Sequence, residues 1–238
     1  MIYKKQQIVG STQVGADANL STMGIFGIVE IAITECMGSQ HIDGITVSKL
    51  YNAFWVFTKN KVKVLGTAKW GEQIEVECFI SNVSLVKMDL DTVLKKSDGS
   101  IVAYSRCEIC PLDIETGRIR RTSTVGINES IVVETPLMDV VFAKFDDGEL
   151  PQVDAVTVRS TNIDFWQHCN NVEYLRFVLN TYSVAELVER PIKEIEVNYV
   201  SQSYEGDELS VHKLVTNDCD LLAIKKNDQT VIKCIITR

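Results

Sequence analysis

The sequence predicts an α+β chain built twice over, each half an antiparallel sheet around one long buried helix. Three observations carry this: a repeated strand–turn–strand segment, an apolar helix-length run ahead of each copy, and further alternating strands behind each.

The repeat pairs "KVKVLGTAKWGEQIEV", from Lys61, with "EVNYVSQSYEGDELSV", from Glu196, at an offset of 135 positions without gaps. Val62 falls on Val197, Gly71 on Gly206 and Val76 on Val211. In both, an alternating strand runs into a turn of Gly followed by an acid, then a second alternating strand. Ahead of the first copy, "STMGIFGIVEIAITECMGS" is apolar on nearly every side, which predicts a buried helix with Gly38 as its C-cap. Ahead of the second, "NNVEYLRFVLNTYSVAELVE" places Glu173, Arg176, Asn180 and Ser183 at helical spacing. That predicts a helix enclosed except for one thin polar stripe. Behind the copies, turns are expected at Asp98-Gly99, Asn217-Asp218 and Asn227-Asp228. The expected organisation is an N-terminal unit over residues 1–130, a link over 131–152 marked by Asp146-Asp147-Gly148, and a C-terminal unit over 153–238.

Composition narrows the function classes. An apolar fraction of 45% with 24% charged residues is that of a globular chain, and four prolines and 13 glycines are too few for a linker-rich one. A net charge of −8 argues against nonspecific binding to nucleic acid or an anionic membrane, without excluding a local basic patch. No apolar run approaches a membrane span, and "MIYKKQQIVG" lacks a signal-peptide core, so a cytoplasmic protein is expected. An odd count of seven cysteines then reads as thiols. Cys107-x-x-Cys110 has no second pair at metal spacing, and on a strand the two face opposite sides, so core thiols are expected there and no metal.

Polar chemistry concentrates in "DFWQHCNN", Asp164 to Asn171, which carries one of only three histidines. Asp and Asn ahead of an apolar helix are natural cap residues. With His168 between them and Tyr174 one turn on, the same stretch also offers an acid–base pair beside a helix N-terminus. Cys169 adjoins His168 in sequence, but neighbouring side chains seldom face each other, so no Cys–His dyad is expected.

"DFWQHCNNVEYLRF" resembles the Asp-x-Asn-Gln-His-x-Asn-Asn-x-x-Tyr signature of the acyl-acyl-carrier-protein thioesterases. "FWVFTKNKVKVLGTAKWGEQIEVECF" resembles that family's Trp-Val and Trp-Gly-acid segments, and "CPLDIETGRIRRTSTV" its strand end followed by an Arg-rich turn. The resemblance implies a tandem double hotdog and hydrolysis of a fatty acyl thioester on acyl carrier protein, without metal or organic cofactor. Carried over by position, Asp164, Gln167, His168, Asn170, Asn171 and Tyr174 match; the catalytic Asn of the family corresponds to Trp166 and its catalytic Glu to Gln202.

The expected roles follow from the chemistry of thioester hydrolysis, which needs an activated water or nucleophile and donors for the oxyanion. Asp164 is expected to act as base or nucleophile, assisted by His168, with Gln202 as a hydrogen-bonding partner that takes no proton at neutral pH. Asn170 and Asn171 are expected to cap and anchor the helix, Trp166 to fill or flank the acyl pocket, and Tyr174 to support the site. Arg118, Arg120 and Arg121, with Lys59 and Lys61, could dock an acidic acyl carrier protein. The donor could be carrier protein or coenzyme A, and the chain a monomer or a homodimer. The alternative function is a hotdog that binds acyl chains or acyl carrier protein without hydrolysis; a hydratase reading would need a second acid or base across the cleft.

Overall fold

The computed structural model describes residues 1–127, 129–133 and 140–238. It divides into two compact units, Met1–Val141 and Phe142–Arg238. Their boundary falls inside the link expected over 131–152, of which 134–139 lie outside the described residues.

The first unit contains β1 (Tyr3–Ile8), α1 (Thr22–Ser39), α2 (Gly44–Tyr51), β2 (Ala53–Val64), β3 (Gln73–Val83), β4 (Met88–Lys96) and β5 (Ile101–Asp113). Its strands lie in the order β1-β3-β4-β5-β2, with antiparallel neighbours throughout. Ser21 caps α1 by accepting from the Gly24 N–H at 3.0 Å. A Cβ on Gly24 would sit 2.1 Å from the Gln13 carbonyl oxygen, so the first turn of α1 reaches the preceding loop only because this residue has none. Ile25, Ile28, Val29, Ile33 and Cys36 bury the helix against its sheet. Gly38 is not the C-cap: the helix runs on to Ser39, and His41, at φ 58°, takes the left-handed position. At 18 residues with mean hydropathy 1.3, α1 does reach the length and apolarity of a membrane span, against the expectation from run length, although half of it is buried within the unit.

The second unit contains β6 (Gln152–Thr157), α3 (Asn171–Leu179), α4 (Val184–Glu189), β7 (Glu194–Tyr199), β8 (Glu208–Val215), β9 (Asp220–Lys226) and β10 (Gln229–Thr237). Its order, β6-β8-β9-β10-β7, is that of the first unit strand for strand. The repeated positions coincide in role. Val62 and Val197 are buried on β2 and β7, Val76 and Val211 on β3 and β8, and Gly71 and Gly206 turn at φ 84° and 87°. The β9–β10 turn sits at Asn227-Asp228, both at positive φ.

The second helix differs from expectation. It is not one long element but two, because Ser183 and Glu186 close a capping box that starts α4 anew. Asn180 ends α3 and Ser183 caps α4, so part of the polar stripe marks a helix break.

Part of the expected link is a strap over the second sheet. The Ala143 N–H donates to Glu196 at 2.8 Å, Lys233 to the Phe145 carbonyl at 3.1 Å, and the Lys213 N–H to the Pro151 carbonyl at 3.0 Å. Asp147 anchors the strap: it is buried, pairs with Lys233 at 2.6 Å, and accepts from Thr230, while Lys225 donates to its carbonyl at 2.8 Å. Burial alone would raise the Asp147 carboxyl, and the hydrogen bonds from Lys233 and Thr230 outweigh it, holding the group below its ordinary value.

Asp147→Asn keeps the shape and removes the charge that Lys233 faces. Urea unfolding at pH 7 should show a loss of about 3 kcal/mol. Since the folded carboxyl is depressed, its contribution is present above the unfolded value, about 4, and disappears as pH falls through the folded one. The gap between variant and wild type should therefore close under acid.

Candidate functional site

The stretch "DFWQHCNN" folds as a closed turn feeding a helix. The Asp164 N–H donates to the His168 carbonyl at 2.8 Å and the Gln167 N–H to the Asp164 carbonyl at 3.1 Å. Gln167 sits at φ 65°, and Ile163 bridges Cys169 across the turn. The Asp164 side chain locks this from inside: Oδ1 accepts the Trp166 N–H at 2.8 Å and the His168 N–H at 3.2 Å. Immediately after the turn, Asn170 caps α3 by accepting the Val172 N–H at 2.8 Å, and its own N–H donates to the Asn162 carbonyl at 2.8 Å. Asn171 is the first residue of α3, three positions after His168.

A second segment is bound to this turn. The Cys169 N–H donates to the Ser203 carbonyl at 2.8 Å, and the Ser203 N–H donates to the Tyr174 hydroxyl at 2.9 Å. His168 and Gln202 thus each precede one member of a directly bonded main-chain pair. The Tyr204 ring lies edge-on to His168, with centroids 5.3 Å apart. Asp164, Trp166, His168, Asn170, Asn171 and Gln202 are all half-buried, a position that reaches solvent without being swept by it. Trp166 stacks edge-on with Phe165, which is 74% exposed at the tip of the turn.

Electrostatics around the helix start are balanced. Glu173, in the first turn of α3, accepts from Asn162 at 2.8 Å and pairs with Arg176 at 3.2 Å. Tyr174 is pushed well above an ordinary phenol by burial. Burial also raises the Cys169 thiol to about 12, which leaves it protonated and a poor nucleophile at neutral pH. Cys107 and Cys110 are buried on β5, where burial raises Cys107 far and Cys110 to about 11.

The expected docking residues lie in the other unit. Arg118 and Arg121 are exposed. Arg120 is tied into its own turn, donating to the Tyr51 carbonyl and pairing with Asp113 at 3.9 Å. Lys59 and Lys61 are half-buried on β2, and Lys61 donates to the Val141 carbonyl at 3.0 Å. Sequence reasoning gave no weight to Ser203 and Tyr204. Their signal was adjacency to Gln202 alone, since the contacts that bring them to the turn are mostly main-chain.

Residues 147–236 match the model of the acyl-ACP thioesterase C-terminal domain. An oleoyl-acyl carrier protein thioesterase of Arabidopsis thaliana is 21% identical over 86% of this chain, which spans 60% of that protein. Among solved structures, an acyl-ACP thioesterase from Bacteroides thetaiotaomicron superposes with a TM-score of 0.87 at 20% identity, covering 99% of this chain and 97% of that one. A 12:0-ACP thioesterase from Umbellularia californica gives 0.86 at 16% identity, over 99% and 96%. The fold is the double hotdog of these enzymes, and in sequence the chain is similar to acyl-ACP thioesterases, most directly over residues 147–236.

Proposed function

We propose that this chain hydrolyses fatty acyl thioesters, with acyl carrier protein as the carrier and the Asp164–Asn171 turn as the reaction centre. The observation that carries the reading is the clamp that binds the His168-bearing turn to the Gln202-bearing segment at the N-terminus of α3. Similarity to acyl-ACP thioesterases supports the substrate class.

In this reading water attacks the thioester carbonyl, a C–O bond forms, and the C–S bond breaks as the tetrahedral intermediate collapses. Asp164 has two roles. Its Oδ1 is committed to two main-chain N–H groups, which fixes the direction of the carboxylate and points Oδ2 as the proton acceptor. His168 relays a proton to the departing thiolate. The Gln202 amide and the positive dipole end of α3 stabilise the oxyanion. Arg118 and Arg121, with Lys59 and Lys61, are the surface that meets the acidic carrier protein. Binding without turnover is the competing reading, and the resemblance favours it by setting Gln202, which takes no proton at neutral pH, at the position of the family's catalytic Glu.

Two variants separate these readings, measured as thiol release from acyl-carrier-protein thioesters of graded chain length. Asp164→Asn offers the same Oδ1 acceptor to Trp166 and His168, so the turn survives while the base is lost. Turnover should fall about a hundredfold or more in a protein of unchanged melting temperature. Asp164→Ala should lose turnover and turn together. Acyl-carrier binding by a wild type that releases no thiol would decide for the binding reading.

Gln202→Glu supplies a second proton acceptor on the clamped segment. It should raise kcat by about tenfold, with a new dependence on pH through the carboxylate range. An unchanged kcat would place residue 202 outside the reacting geometry.

A further inference from the structure

The two units build the same turn, and in the proposed reading the second carries the chemistry. Shifted by 149 positions, Gly15 to Asn19 repeats Asp164 to His168 in main-chain detail. The Gly15 N–H donates to the Asn19 carbonyl at 2.8 Å and the Ala18 N–H to the Gly15 carbonyl at 3.0 Å. Ala18 takes the left-handed place of Gln167 at φ 60°. The Leu20 N–H reaches the Ala68 carbonyl at 2.7 Å, as Cys169 reaches Ser203, and Ser21 caps α1 as Asn170 caps α3. The first unit is therefore an internal control for what the turn needs in order to fold.

Against that control, two core positions stand out. Where the first unit has Ile25 and Ala68, the second has Tyr174 and Ser203, and all four are buried. The fold closes the clamp without a phenol or a hydroxyl there. A fully buried Ser203 Oγ with no hydrogen-bond partner among the described residues is unfavourable on its own account. What the pair adds is a second tether, since the Tyr174 hydroxyl accepts the Ser203 N–H at 2.9 Å while the Ser203 carbonyl accepts from Cys169. Both peptide groups flanking Ser203 are thereby fixed, and they carry Gln202 on one side and Tyr204, the ring against His168, on the other.

We infer that Tyr174 is a positioning residue, acting through Ser203 to hold Gln202 and Tyr204 at a fixed setting relative to His168. The assignment rests on the thioesterase reading for its rate consequence, though not for its geometry. Tyr174→Phe removes the acceptor and keeps the ring. The double variant Tyr174→Ile with Ser203→Ala installs the pair that the first unit uses. Both should fold by circular dichroism, and both should lose about tenfold in kcat with KM within about twofold, the mark of lost alignment and not of lost binding. Independently of substrate, the Gln202 side-chain amide and the His168 ring should shift or broaden in NMR spectra of both variants. A folded variant with kcat retained, or with Gln202 and His168 signals unchanged, overturns the inference. So does a double variant that cannot fold, since the pair would then be structural. A wild type that turns over no thioester defeats the thioesterase reading alone; the NMR signals still judge Tyr174.

Discussion

The hydrogen bond from the Cys169 N–H to the Ser203 carbonyl joins two stretches of chain that would otherwise be independent loops. One brings Asp164 and His168, the other Gln202 and Tyr204. Aligning such groups requires ordering flexible side chains, at a cost on the order of 1 kcal/mol or more for each residue fixed. Here much of that ordering is done by the backbone. The turn is closed on itself, its far end is a capped helix, and its flank is bonded to the segment before β8. The same bond between Leu20 and Ala68 in the first unit marks it as a property of the fold, present before any chemistry is added.

How much of this was legible follows from where the information resides. The strand repeat could be read because inward positions must be apolar with period two, and Val62, Val76, Val197 and Val211 satisfy that in both copies. The turns at Gly71 and Gly206 were legible for a related reason: φ near +85° favours glycine. The repeated turn was not legible, since no position from Gly15 to Asn19 holds the same residue as its counterpart from Asp164 to His168. Its likeness is carried by main-chain bonds that almost any side chain permits. The break between α3 and α4 did have a signal, Ser183-x-x-Glu186, which a periodicity count overlooks because both residues also fit a polar stripe. Asp147 misled for the opposite reason. An acid beside Asp146 and Gly148 reads as solvent-exposed, and only the fold brings Lys225, Lys233 and Thr230 around it.

The charge balance of the turn bears on the neutral residue at position 202. Asp164 brings a negative charge to the mouth of α3, where two main-chain N–H groups and the helix terminus can stabilise it. Glu173 already occupies the first turn of the same helix, where Asn162 donates to it and Arg176 pairs with it. Gln202 keeps a planar group with donor and acceptor on the segment and adds no charge. In the proposed hydrolysis it gives up a second site for the proton of the attacking water, and proton transfer falls to Asp164 and His168, the pair on the closed turn.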